Sequence, residues 1–303
     1  MRRLLTGMLV VSLLGLLGSL AVVSVGPMLD EHWQTVGITQ ATSPAGSIAG
    51  LLARAENAVG LVTRAENAPL LFVPDSVTAE PVAPVTLVLV LPGLGGTGRV
   101  LAEEFVAAAE EHRWLLLAPS PDYDPTEKET LTEADVRVDQ SLLSLADQVV
   151  ARSPFHVAPV IDVVGFSRGA QTAHRFALRH PERVAGLASF SAGTYTMPTS
   201  SQPYPLGMGY FDLYNHQRPL DIAALRKVSV LVGVGAADAN PADVVRDWDA
   251  VGGTTRLERG TRFAEALQQL KVPSRFQVYP GVGHTFTPAM RADAIVWFSS
   301  SRN

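Results

Sequence analysis

The chain has 303 residues, 47% hydrophobic and 17% charged, so it can bury a sizeable core, which excludes global disorder. Its net charge of −5 comes without any basic block, which removes the electrostatic footprint of a nucleic-acid binder. With no cysteine, the chain has no disulfide, no thiolate zinc site and no cysteine nucleophile.

Arg2 and Arg3 precede an uncharged run from Leu4 to Leu29. A basic start and an apolar middle fit a signal peptide, with Ser19-Leu20-Ala21 as a weak cleavage site. The same run is long enough for an uncleaved membrane anchor with its N-terminus in the cytoplasm. Both readings stay open, and both place the rest of the chain outside the cytoplasm. Residues 30–50 are small and polar and read as a linker. A single folded domain is expected over 51–303, and it opens on a short repeat. Arg54-Ala55-Glu56-Asn57-Ala58 recurs as Arg64-Ala65-Glu66-Asn67-Ala68, two copies only, too few for a solenoid.

From Thr86 onward, apolar runs alternate with amphipathic stretches. Strands are expected at Thr86–Leu91, Trp114–Ala118, Val160–Val164, Leu187–Ser191, Val228–Val234 and Arg275–Tyr279. Helices are expected at Val100–Glu111, Ala134–Ala151, Ala170–His180, Thr261–Leu270 and Met290–Ser299. Near-continuous Val, Leu and Ile runs mark strands buried on both faces. Their alternation with helices predicts an α/β fold: a doubly wound, mostly parallel sheet with helices on both faces. Ligand sites in such sheets lie at the carboxyl ends of the strands.

Ser167 falls at such an end. It sits in Gly165-Phe166-Ser167-Arg168-Gly169, a G-x-S-x-G sequence between an expected strand and an expected helix. The flanking glycines suit a tight, strained turn that projects the hydroxyl over the sheet edge. The helix that follows aims its first N–H groups at the same place. A serine nucleophile needs a base and an acid, in the chain order Ser, acid, His. Asp238 follows the strand at Val228–Val234, and His284 follows the last strand in Pro280-Gly281-Val282-Gly283-His284. His284 is then the base and Asp238 the group that orients it. Asp243, Asp247 and Asp249 are fallback acids beyond the strand end. The glycine-rich loop Pro92-Gly93-Leu94-Gly95-Gly96 nominates the backbone N–H of Leu94, or of Gly95 under a shift of one, beside that of Arg168, as an oxyanion hole.

These segments, with Arg175-Phe176-Ala177-Leu178-Arg179-His180-Pro181-Glu182-Arg183-Val184, carry a resemblance. The chain resembles the α/β-hydrolase superfamily, and within it the extracellular esterase and polyhydroxybutyrate-depolymerase-like group, over about Leu70 to Phe298. The resemblance implies a serine hydrolase acting on carboxylic esters, small or polymeric, with no cofactor. Peptide hydrolysis or acyl transfer on the same residues, and a non-catalytic binding protein, are the alternatives. Pro92-Gly93 stands where many relatives have His-Gly. No large cap domain is expected. The one long insertion, Thr194 to Arg226, carries Tyr195 and Tyr210, which are candidate substrate contacts if it walls a pocket; otherwise it packs its own aromatics. His174 faces away from Ser167 on the expected helix and reads as structural.

Two other chemistries are disfavoured. Gly93-Leu94-Gly95-Gly96-Thr97-Gly98 fits a dinucleotide-binding G-x-G-x-x-G, but the next strand ends Ala118-Pro119-Ser120 without the acidic residue that would hold the ribose. The seven histidines are scattered and no H-E-x-x-H appears, so no metal site is expected.

Overall fold

The computed structural model describes residues 32–35, 68–79, 84–121, 123, 133–214 and 218–300. The apolar N-terminal run and nearly all of the repeat lie outside the described residues. Among the described residues, no helix is long and apolar enough to cross a membrane.

Eight strands form one sheet: β1 (Trp33–Thr35), β2 (Leu70–Phe72), β3 (Thr86–Leu91), β4 (Trp114–Ala118), β5 (Ile161–Phe166), β6 (Val184–Phe190), β7 (Ser229–Gly235) and β8 (Ser274–Tyr279). Their spatial order is β1-β2-β4-β3-β5-β6-β7-β8. The first two pairings, β1 with β2 and β2 with β4, are antiparallel. All the others are parallel, so the six strands expected from the sequence run the same way. β1 lies within the segment expected to be a linker. Three residues in a polar context are too short to show a period.

Among the described residues, the helices of six or more residues are α1 (Gly98–Glu103), α2 (Val106–His112), α3 (Glu133–Arg152), α4 (Arg168–Arg179), α5 (Arg256–Gln269) and α6 (Pro288–Ser300), and they cover the sheet. Alternating strand residues feed two cores. Leu87, Leu89, Leu91 and Val163 meet α3, α4 and α5 on one face. Val88, Val90, Leu116 and Val164 meet α1, α2 and α6 on the other. Every residue of β3 and β4 is buried, as their unbroken apolar runs require.

Two helices differ from expectation. The stretch Val100–Glu111 is broken at Phe105, whose ring is fully buried and whose N–H bonds the carbonyl of Ala102. Burying that ring turns the chain between α1 and α2. α5 begins at Arg256, five residues before the expected start. Thr255 Oγ1 accepts the Glu258 N–H at 3.1 Å, and Glu258 Oε2 accepts the Thr254 N–H at 2.6 Å. These reciprocal bonds satisfy N–H groups that the first turn leaves open, so a polar stretch becomes helical.

Residues 194–214 and 218–226 pass over α4 and include the short helical turns Phe211–Tyr214 and Ile222–Leu225. Tyr195, Tyr204 and Phe211 are buried, and the Tyr204 and Phe211 rings lie 5.6 Å apart. The excursion packs its own aromatics, and no large cap domain is seen among the described residues.

Candidate active site

β5 ends at Phe166 and α4 begins at Arg168, which leaves Ser167 alone at the turn. Its φ of 54° and ψ of −117° are strained for a residue with a side chain. The turn is possible because of its two glycines. A Cβ on Gly165 would stand 2.4 Å from the carbonyl oxygen of Gly169, and one on Gly169 would stand 2.1 Å from that of Leu91. Both distances lie far inside van der Waals contact, so strand, elbow and helix close only around bare Cα atoms. The Ser167 N–H bonds the Phe190 carbonyl at 2.9 Å, which ties the elbow to the end of β6.

The loops after β7 and β8 are laced together. The Ala236 N–H bonds the Tyr279 carbonyl at 2.9 Å, and the Ala237 N–H bonds the Val282 carbonyl at 2.8 Å. That lacing brings Asp238 and His284 face to face. His284 Nδ1 lies 2.8 Å from Asp238 Oδ2, and His284 Nε2 lies 2.9 Å from Ser167 Oγ. A carboxylate only accepts, so Nδ1 carries the proton and Nε2 is left to accept from the serine hydroxyl. The sequence expectation that these three residues meet is what the structure contains.

The electrostatics fit that tautomer. Burial alone would push the Asp238 carboxyl up. The hydrogen bond from His284 and the charge of Arg256 outweigh it, and the carboxyl is held below its usual range. Two of the fallback acids are engaged elsewhere: the Asp243 carboxylate accepts from Asn240, and Asp249 pairs with Arg246 and Arg259; Asp247 is exposed.

The glycine-rich loop borders the elbow, since a Cβ on Gly93 would lie 3.2 Å from Ser167 Cβ. Leu94 follows at the rim, 54% exposed. The Gly96 N–H bonds Gly93 O, and the Gly98 N–H bonds Ser120 Oγ at 3.0 Å. Those two groups of the G-x-G-x-x-G segment are bonded within the protein. Arg168 sits in the first turn of α4, its guanidinium on Gln171 Oε1 at 3.1 Å and over the Tyr123 ring.

The two tyrosines nominated as substrate contacts are not brought to Ser167. Tyr195 is fully buried, stacked on Phe263 at 4.4 Å, with its hydroxyl at Ser189. It is core, packed between His174 of α4 and Phe263 of α5. Tyr210 is 72% exposed, on a turn bonded through Gly209 to Tyr204. The Tyr204 ring lies on Arg179, at the opposite end of α4 from Ser167. His174 is structural, as expected: Nδ1 meets the Ala170 carbonyl at 3.0 Å and Nε2 accepts the Thr196 N–H at 2.9 Å.

Sequence reasoning missed two neighbours of the site. The Phe166 ring stacks on the His284 imidazole, centroids 5.0 Å apart and planes 29° apart. Arg256 reaches Asp238. A faint signal for Arg256 exists, because a cation at the first position of a helix opposes the macrodipole and asks for a partner. Among the described residues, His32, Asp75 and Glu110 form a group of possible metal ligands, with the relevant atoms within 4.8 Å of one another. The Glu110 carboxylate there already accepts the backbone N–H groups of Asp75 and Ser76. This group brings together the β1–β2 edge of the sheet and Glu110 of α2, while Ser167 follows the central β5.

Comparison with known proteins agrees with this architecture. A family model described as the alpha/beta hydrolase fold matches residues 86–230. No curated protein sequence matches the chain. Among solved structures, poly(aspartic acid) hydrolase-1 from Sphingomonas sp. KT-1 is similar at 21% identity and a TM-score of 0.60, covering 76% of this chain and 92% of that one. The poly(3-hydroxybutyrate) depolymerase LpqC from Bordetella parapertussis is similar at 21% identity and a TM-score of 0.58, covering 77% and 85%. A ferulic acid esterase is similar at 17% identity and a TM-score of 0.50, covering 78% and 91%. At these identities the likeness speaks for the fold. With its parallel sheet, the elbow at the end of β5 and the matched family model, the chain has the α/β-hydrolase fold.

Proposed function

We propose that the protein is a serine hydrolase that cleaves carboxylic esters through an acyl-enzyme intermediate. The observation that carries this reading is the continuous hydrogen-bonded line from Ser167 Oγ through His284 to Asp238, at 2.9 and 2.8 Å. His284 Nε2 takes the proton as Ser167 Oγ attacks the carbonyl carbon, and returns it to the leaving alcohol. Asp238 stabilises the imidazolium in between. The backbone N–H groups of Leu94 and Arg168 receive the oxyanion, with the N-terminal end of α4 behind them. Water then repeats the cycle on the acyl-serine and frees the acid. No cofactor enters this scheme.

The choice of an ester is supported by the names of two structural relatives, a poly(3-hydroxybutyrate) depolymerase and a ferulic acid esterase. The imidazole is 32% exposed, so the reacting groups are accessible to solvent. That openness suits a substrate too large to be enclosed. Short- and long-chain nitrophenyl esters, assayed beside a peptide and an amide, test the reaction class. Ester turnover ahead of the others is expected, and faster turnover of the peptide or amide overturns the ester assignment.

An extracytoplasmic location, free or held by the N-terminal segment, is part of the proposal. It is supported by Arg2 and Arg3 ahead of the apolar run from Leu4 to Leu29. Immunoblot sizing of fractionated cells, with and without the first 29 residues, checks location and cleavage together.

A further inference from the structure

Asp238 is gripped from two sides. His284 Nδ1 takes Oδ2 at 2.8 Å, and Arg256 Nη1 takes Oδ1 at 3.0 Å. Arg256 Nη2 donates in turn to the Asp243 carbonyl at 2.8 Å. One planar guanidinium therefore spans two acceptors on the loop after β7. The Arg256 side chain is 11% exposed and that of Asp238 1%. A cation this far from water, at the positive end of a helix, is unfavourable unless an anion compensates it, and Asp238 is that anion. The backbone beneath Arg256 is fixed independently, by the Thr255 and Glu258 caps that start α5.

We infer that Arg256 is a positioning residue for the reaction: it fixes the plane of the Asp238 carboxylate so that Oδ2 addresses His284, and through His284 it aims Nε2 at Ser167. This inference rests on the serine-hydrolase reading above. Arg256 touches no reacting atom and acts only through Asp238. The charged groups facing the pair are Asp238 and Asp243 from the loop after β7, Arg256 from α5, and His284 from the loop after β8. The Asp243 carboxylate stands farther off, 4.0 Å from Arg256 Nη1. Asp238 faces both the imidazole and the Arg256 cation, so removing that cation changes the field at the imidazole as well as its line.

The test is the rate of fluorophosphonate labelling between about pH 5 and about pH 9. It compares the parent with Arg256→Gln and Arg256→Lys, with the folded fraction of each measured by near-ultraviolet circular dichroism. Arg256→Gln is expected to label about 10-fold more slowly on the plateau, with its acid limb moved to higher pH. Arg256→Lys keeps the charge without the fork, so it should bring the acid limb back while the plateau stays below the parent. An unmoved acid limb, with a plateau that only follows the folded fraction, overturns the positioning role. So does a Gln variant that behaves as the parent, and in that case the serine-hydrolase reading survives. A folded parent that does not label removes that reading, and this inference falls with it.

Discussion

Gly169 and Leu91 meet so closely that a single methyl group at Gly169 would stand 2.1 Å from the Leu91 carbonyl oxygen and 2.4 Å from that of Pro92. The Ser167 turn is thus built against the end of β3, the strand whose following loop borders Ser167. Gly169→Ala must push α4 and the loop apart. It is expected to cost about 3 kcal/mol of stability, read from the denaturant midpoint, and to slow labelling of Ser167 about 10-fold or more. An alanine variant with both quantities unchanged would show that the helix and the loop are not in this contact.

Asp238 holds the imidazole, while the Asp243 carboxylate accepts from Asn240 and Asp247 is exposed. Asp238→Asn keeps the shape but offers an N–H where an acceptor is needed. It is expected to lower kcat by about 10³-fold to 10⁴-fold. Asp247→Asn is expected to stay within about twofold of the parent. Steady-state hydrolysis of a nitrophenyl ester compares them, and a large loss in Asp247→Asn with a mild one in Asp238→Asn reverses the assignment.

The buried His174 should make the fold acid-sensitive. Burial, and then the charge of Arg175, holds its pKa well below the usual value of 6.5. Its Nε2 accepts the Thr196 N–H, a bond that only the neutral ring makes. The unfolded chain binds this proton more readily than the folded one. The stability is therefore fully present above the unfolded pKa and drains away as pH falls below it. The melting temperature is expected to drop between about pH 7 and about pH 5. His174→Gln, which keeps an acceptor but does not titrate, should flatten that drop. Equal slopes in parent and variant would contradict this account of His174.

The exposed Tyr210 stands on a turn tied to the far end of α4. Tyr210→Ala should therefore leave kcat and KM within about twofold of the parent for every ester tried. A raised KM for bulky acyl groups alone would bring the residues 194–226 back into the substrate site.

Much of this architecture is written in local pattern. β3 and β4 are buried on both faces, and that environment leaves unbroken Leu and Val runs whose bounds match expectation to the residue. The elbow is legible because sterics demand glycine at two fixed places beside the serine. Asp238 and His284 are legible because each follows a strand whose end must lie near the others. Contacts that depend on two distant segments leave no such trace. The Arg256 pairing with Asp238 and the Phe166 stack on His284 are tertiary, and a lone arginine or phenylalanine carries no period. Tyr195 misled for the same reason: an aromatic in a long insertion looks alike whether it lines a pocket or, as here, fills the core against Phe263. The start of α5 is not legible because its capping residues are polar and carry no apolar period; only their reciprocal bonds mark it.

The most direct test of the central claim is fluorophosphonate labelling of the folded protein, with the modified residue located by mass spectrometry, alongside Ser167→Ala and His284→Ala. The reagent reports an activated serine whatever the natural substrate is. Modification of Ser167 in the parent, lost in Ser167→Ala and reduced at least about 10³-fold in His284→Ala, is the predicted result. A well-folded parent that stays unmodified, or a label that persists in Ser167→Ala, would contradict the account.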